Sequence, residues 1–437
     1  MSLKPLERYF HFQELGTGWQ TETLAGATTF LTMAYIIFVN PSILHAAGMP
    51  VAAVTAATCI SAAFGSLLMG LYARYPIALA PGMGLNAYFA YTVVAGMGVP
   101  WQTALGAVFI SGVAFIVLTL TGIRQLILAA LPPELYASVA AGIGIFIALV
   151  GFRNSGIIVP NPQTTVALGN LRDPNTLLAV FGLLLTGVLF AWRVRAAMLI
   201  GILGTTAVGA AFGLVHWHPQ PFRWAEATAT MGKLDLPGIF RTGFLEIIFV
   251  FLFVDLFDNI GTLVGVAKKA GLIESDNRIP RVEKILLTDA SATVVSSLTG
   301  TSTVVSYIES AAGIAAGGRS GFTAVVVGLL FLAALFIAPV VGAIPTAATA
   351  PALIIVGSLM VSTVAEIPWS DPVVALPAFL TMLTIPLTFS IANGIAFGFV
   401  AYALLRIFRG EFRKVGWLVY ALAALFIARF VYLGASG

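Results

Sequence analysis

The chain has 437 residues, 59% of them hydrophobic and only 9% charged, with a mean hydropathy of +0.99. Water-soluble domains carry about 25% charged residues, so this composition excludes a soluble fold and describes a protein that crosses the bilayer many times. The net charge of +4 does not point to nucleic acid, because the basic residues fall between apolar stretches, and the single Cys59 lies inside one as a small core residue, which leaves no disulfide within the chain.

The opening MSLKPLERYFHFQELGTGWQTE has neither the apolar core nor the cleavage site of a signal peptide. With about 20 apolar residues per crossing, spans are expected near 22–41, 51–72, 84–98, 101–121, 133–151, 174–192 and 196–214. The third is too short to cross as a plain helix. Its surroundings, YPIALAPGMGLNAYFAYTVVAGMG (Tyr75–Gly98), are rich in small residues and carry one strong polar group, Asn86. After the seventh span His216 and His218 flank Trp217; an HWH triplet is a poor metal signal, and no metal is expected.

A second set of spans is expected near 244–267, 283–300, 303–317, 320–340, 347–365, 371–388 and 390–408. The stretch Phe249 to Gly271, FVFLFVDLFDNIGTLVGVAKKAG, carries Asp255 and Asp258 at its centre. A carboxylate at mid-membrane costs roughly 2.5–3.5 kcal/mol on insertion scales and marks a polar pathway or site. Three residues apart, the two share one side of a helix, with Gly261 and Gly265 following to allow close approach. For Asp255, pairing with a neighbouring helix is an equally good reading; Glu246 and Asp289 are read as structural.

The tenth span, GTSTVVSYIESAAGIAAGG (Gly300–Gly318), repeats the build of the third: a small or extended lead-in, one strong polar residue (Glu309), then a small-residue helix. Non-helical backbone at this depth is tolerated only where protein or a cavity satisfies it, and a half-helix starting there aims free N–H groups at the membrane centre. Ser390 and Asn393, near Pro386, are placed at a joint between two moving bodies. The stretch 415–433 is also apolar but contains Arg429, so crossing and lying in the interface with a snorkelling arginine both stand open.

With a cytoplasmic N-terminus, the inner loops collect most of the basic residues, among them Arg74, Arg124, Arg193, Arg195, Arg278 and Arg281. The outer ones hold Arg153, Arg172, Arg223, Lys233 and Arg241. This asymmetry supports fourteen crossings. Seven spans is an odd number, so two consecutive sets of seven enter the membrane in opposite senses, as in secondary transporters whose site lies where discontinuous helices meet.

Asn86, Asp258 and Glu309 therefore stand out. Asn86 donates and accepts; the carboxylates accept, or donate when protonated. Burial and mutual proximity raise carboxylate pKa values, so such a pair can hold a proton at neutral pH, the chemistry of proton coupling. The same groups suit a flat heterocycle bearing N–H donors and ring-nitrogen or carbonyl acceptors. Phe30, Tyr35, Phe89, Phe257 and Tyr307 are candidates to stack on it, though each taken singly reads more readily as core. The chain has no GxxxxGK[ST], HExxH or GxSxG motif, so no enzyme is expected and no cofactor. Ion-driven transport remains, against an anion exchanger, which should lack buried carboxylates, and a membrane receptor or scaffold without turnover.

The stretches AGATTFLTMAYIIFVNPSIL (25–44), APGMGLNAYFAYTVV (80–94), FVDLFDNIGTLVGVAKKAGL (253–272), GTSTVVSYIESAAGIAAGGRSG (300–321) and ATAPALIIVGSLM (348–360) closely resemble the AzgA-like purine permeases of the nucleobase–cation symporter-2 group. The likeness runs from about residue 8 to 410 and implies an all-α polytopic membrane protein. Its fourteen transmembrane segments form a 7+7 inverted repeat, with short antiparallel strands leading into the broken spans 3 and 10. Spans one to four and eight to eleven (22–121 and 244–340) form a core domain in such folds. Spans five to seven and twelve to fourteen (122–214 and 341–410) form a gate domain, and 411–437 is a tail.

Carried over, the family's substrate carboxylates fall on Asp258 and Glu309, which also serve proton coupling, and the third-span asparagine falls on Asn86. Tyr35, Phe30 and Ile308 complete the expected substrate contacts. The resemblance implies proton symport of adenine, guanine or hypoxanthine through the cell membrane, by a multi-pass protein able to pair as a homodimer through the gate domain. Asp258 stands where xanthine and uracil relatives have glutamate; its shorter side chain leaves room for a larger ring and favours a purine over uracil. The alternative is a transporter of another nucleobase (xanthine or uracil) or an anion exchanger on the same fold.

Overall fold

A computed structural model describes residues 4–122, 132–215, 223–239, 244–269 and 279–432. Side chains at positions 4, 244–246, 257, 258, 260–262, 264, 265, 267–269 and 432 lie outside the description. The readings made for His216, Trp217 and His218, for the loop charges Arg124, Arg241 and Arg278, and for the side chains of Glu246, Phe257 and Asp258 fall there.

Helical structure stands at each of the fourteen expected spans. Among the described residues, eight helices are long and apolar enough to cross a membrane on their own, from Trp19–His45 to Ile391–Phe408. The others depart from that pattern for visible reasons. Ala197–Ala211 and Pro372–Thr388 are shorter apolar helices, Val282–Thr299 carries Glu283, Lys284 and Asp289, which lower its hydropathy, and Phe244–Lys269 contains the apolar stretch Ile247–Leu256. Spans three and ten are broken. The fold is the fourteen-segment, 7+7 inverted repeat with short strands.

The strands show how the break is tolerated. Strand β1 (Leu79–Pro81) precedes helix Met83–Ala87, which winds on as a wider π-helical stretch, Tyr88–Gly96. Its counterpart in the second half, Val304–Ser306, precedes helix Ser310–Ala315. The two pair antiparallel, Leu79 with Ser306, Ala80 with Val305 and Pro81 with Val304. Each therefore satisfies half of the other's main chain in a region without water. The outer edges are met by hydroxyls from the preceding span of each half. Ser66 accepts from the Leu79 amide at 3.0 Å and donates to the Leu79 carbonyl at 3.2 Å. Thr293 does the same for Val304, at 3.2 Å in both directions. The matching positions of these braces express the two-fold repeat at single residues.

Close backbone approach sets the packing around the strands. A Cβ on Gly70 would lie 2.4 Å from the Gly321 carbonyl oxygen, and one on Gly321 would lie 2.1 Å from that of Gly70. The second and eleventh spans thus touch through their main chains, as small residues in membrane helices allow. Gly300 ends the ninth span at φ +100°, where a Cβ would strike Thr230 at 2.2 Å; only glycine takes that turn freely.

One feature was not expected. A hairpin of β2 (Ile158–Asn161) and β3 (Thr165–Leu168) joins the fifth and sixth spans. Asn161 Oδ1 closes its turn by accepting from the amides of Gln163 and Thr164. The apolar tail forms helix Trp417–Tyr432, which runs back antiparallel along the fourteenth span: Phe426 meets Phe399, Phe430 meets Phe397, and Arg429 donates to Asn393 Oδ1 at 3.2 Å. By contacts the chain forms two compact units, residues 1–116 with 150–355 and residues 117–149 with 356–437.

Candidate functional site

The first span is interrupted near its middle. Helix Trp19–Met33 ends and Ile36–His45 begins after a turn at Ala34 and Tyr35. Thr32 hydrogen-bonds back to the carbonyls of Thr28 and Thr29, at 3.1 and 2.7 Å, a bond that competes with regular helix and bends it. The interruption leaves Tyr35, 1% exposed, with its hydroxyl donating to Glu309 Oε1 at 2.7 Å. Glu309 occupies the turn between strand Val304–Ser306 and the second half-helix. Two expected site residues, 274 positions apart, are thereby joined directly.

Ile308, beside Glu309 in the same turn, is 48% exposed. The Tyr307 hydroxyl donates to the Pro81 carbonyl at 2.6 Å and its amide to the Ala78 carbonyl at 2.9 Å, clamping the two lead-ins together. Phe30 packs edge-on against Phe331 of the eleventh span, with centroids 5.1 Å apart. Phe89 is fully buried beside Phe251.

Asn86 lies in the first half-helix and is completely buried. Its Nδ2 donates to Asn40 Oδ1 at 2.5 Å, and its Oδ1 accepts from the Ser302 hydroxyl. Asp258 lies on helix Phe244–Lys269, which packs against strand Val304–Ser306 and against both half-helices, Met83–Ala87 and Ser310–Ala315. Asp255 and Asp289 are fully buried on the eighth and ninth spans.

Sequence reasoning passed over four residues here. Asn40 is an amide in the aliphatic run IIFVNPSIL, the same signal that singled out Asn86. Ser66 and Thr293 carried no signal, since hydroxyls in membrane helices mostly bond back to their own carbonyls. Glu22, at the start of the expected first span, was given no role, yet it is fully buried. It accepts from the amides of Arg319 and Ser320 at 2.9 and 3.1 Å, from Thr323 Oγ1 at 2.5 Å and from Thr17 Oγ1 at 2.8 Å. A carboxylate placed among the free N–H groups that open the eleventh span is well suited to that helix end.

Comparison with known proteins adds an independent observation. The model of the Permease family matches residues 20–432. The guanine/hypoxanthine permease PbuG of Bacillus subtilis (strain 168) is 48% identical over 440 residues, covering 98% of this chain and all of its own. The adenine permease AdeP of Escherichia coli (strain K12) is 45% identical, with 98% of this chain and 97% of its own covered. Among solved structures, the transmembrane domain of the cyanobacterium bicarbonate transporter BicA superposes with a TM-score of 0.64 at 16% identity, over 87% of this chain and 97% of that one. That last likeness is one of fold.

Proposed function

The chain belongs to the Permease family, among its purine permeases, and from that premise we propose that it imports hypoxanthine, guanine and adenine together with protons. The observation that supports this most is the Tyr35–Glu309 pair at the mouth of the second half-helix. In this reading Glu309 and Asp258 hold the N–H edge of the purine, Ile308 and Phe30 border the ring, and Asn86 shapes the site. Tyr35 steadies the Glu309 carboxylate through a hydrogen bond to Oε1.

Proton coupling follows from the cost of moving charge. An ionised carboxylate in a low-dielectric centre is expensive. A proton on Glu309 or Asp258, taken up with the purine, neutralises the loaded site while spans one to four and eight to eleven shift against spans five to seven and twelve to fourteen. Release on the cytoplasmic side, where the N-terminus lies, returns the carboxylate to its charged form. A homodimer formed through the gate spans would leave each site independent.

The test is uptake of labelled hypoxanthine by cells expressing the chain, competed by a panel of nucleobases at two external pH values. Adenine and guanine should compete, uracil should not, and uptake should rise at the lower pH and collapse with a protonophore. Equal competition by uracil would overturn the purine assignment, and uptake indifferent to a protonophore would overturn the coupling.

A further inference from the structure

Asn86 is the end of a directed chain of hydrogen bonds. Thr58 Oγ1 donates to the Val54 carbonyl at 2.6 Å. A hydroxyl has one proton, so toward Asn40, 2.7 Å away, Thr58 can only accept. That obliges Asn40 to present its NH2 group to Thr58, and the second N–H reaches Thr301 Oγ1 at 2.9 Å. Asn40 Oδ1 is then left facing Asn86, which must answer with its own NH2 and turn its oxygen to the Ser302 hydroxyl. Reversing either amide would set donor against donor or acceptor against acceptor. Asn40, Thr58, Asn86, Thr301 and Ser302 are all 0% exposed, so no solvent is at hand to repair such a mismatch.

The chain draws on the first span (Asn40), the second (Thr58), the first half-helix (Asn86) and the lead-in to the second strand (Thr301, Ser302). We propose that Thr58 and Asn40 are positioning residues. Through the polarity they impose, they fix the amide of Asn86 and seat the Thr301–Ser302 lead-in, and so set the geometry of the turn that holds Ile308 and Glu309. They touch no substrate. The consequence for nucleobase affinity rests on the function proposed above; the consequence for the turn does not.

Two readouts test this in the full-length protein. In uptake assays normalised to the amount of transporter in the membrane, Thr58→Val should raise KM for hypoxanthine about fivefold or more, the equivalent of one lost buried hydrogen bond. It should also change the ratio of adenine to hypoxanthine affinity, and Thr58→Ser, which keeps the hydroxyl, should restore both values. A purely structural role would lower the amount of protein and leave KM and the affinity ratio unchanged, and that result would overturn the proposal. The second readout needs no purine. Because the only native cysteine, Cys59, is buried, Ile308→Cys gives a single reactive thiol on the turn, and its rate of labelling by a small maleimide reports the turn's placement. Adding Thr58→Val, or Thr301→Ala should the first variant fail to reach the membrane, should change that rate about threefold or more, while an unchanged rate would overturn the proposal. If the wild type takes up no purine, the nucleobase reading fails and the labelling alone decides this one.

Discussion

Tyr35 reaches Glu309 because the first span breaks at Ala34 and Tyr35, and of the two side chains on that turn only the phenol can donate to a carboxylate. Hydrogen bonds to charged groups contribute about 1.5–3 kcal/mol. Tyr35→Phe, which keeps the ring and its packing, should therefore raise KM for hypoxanthine by about tenfold or more, measured by initial uptake rates over a range of substrate concentrations. Glu22 acts differently, since its four donors come from the lead-in and first turn of the eleventh span and from Thr17. Glu22→Ala leaves the buried Ser320 amide and Thr323 hydroxyl without this acceptor and should cost about 2 kcal/mol or more in stability, read as a lower unfolding temperature in detergent, with little change in KM for the protein that remains folded. At this scale the sequence disclosed the carboxylates and the lone amide of the broken spans, because a polar group in an apolar run stands out by contrast. It did not disclose which of them bond to one another. Tyr35 and Glu309 are 274 positions apart, and only the folded chain brings them together.

Among the elements, the two short strands are the least helix-like and the most informative. Ser66 and Thr293 stand in for the missing outer strands, each holding both the amide and the carbonyl of one residue. A buried backbone group left unsatisfied costs about 1–3 kcal/mol, so Ser66→Ala and Thr293→Val should each lower the unfolding temperature, while Thr293→Ser should recover most of the loss. The broken character of spans three and ten was legible from their length and glycine content, and the pairing of their lead-ins was implied by family resemblance. The braces were not legible. One hydroxyl among many in these helices gives no hint that it bonds across to a strand, whereas most of its neighbours, such as Ser61 and Thr288, bond to their own helix. The hairpin at Ile158–Leu168 was missed because its strands carry little alternation, being mostly exposed. The C-terminal helix, whose placement the arginine left open, is fixed by Phe426, Phe430 and Arg429 against the fourteenth span.

For the molecule as a whole, the question is where pH dependence enters. Outside the spans, at the turn from the fourteenth span into the C-terminal helix, Glu411 pairs with Lys414 at 2.9 Å and with Arg406 at 2.5 Å. The Lys414 ammonium and then the Arg406 guanidinium hold the Glu411 carboxyl below its ordinary range. A depressed carboxylate stabilises the fold above its ordinary pKa and loses that contribution only as pH falls through the lowered value, on the acid side of the ordinary carboxylate range. Glu411→Gln should thus leave the pH profile of uptake between about pH 5 and pH 8 unchanged. A dependence in that window that persists in Glu411→Gln and disappears in Glu309→Gln or Asp258→Asn belongs to the central carboxylates. The measurement that tests this most directly is accumulation of labelled hypoxanthine in proteoliposomes under an imposed pH gradient, comparing the wild type with Glu309→Gln and Asp258→Asn. The wild type should concentrate hypoxanthine while the gradient lasts, and both variants should fail to do so; accumulation by either variant at the wild-type level, or wild-type protein that binds hypoxanthine without concentrating it, would contradict the account.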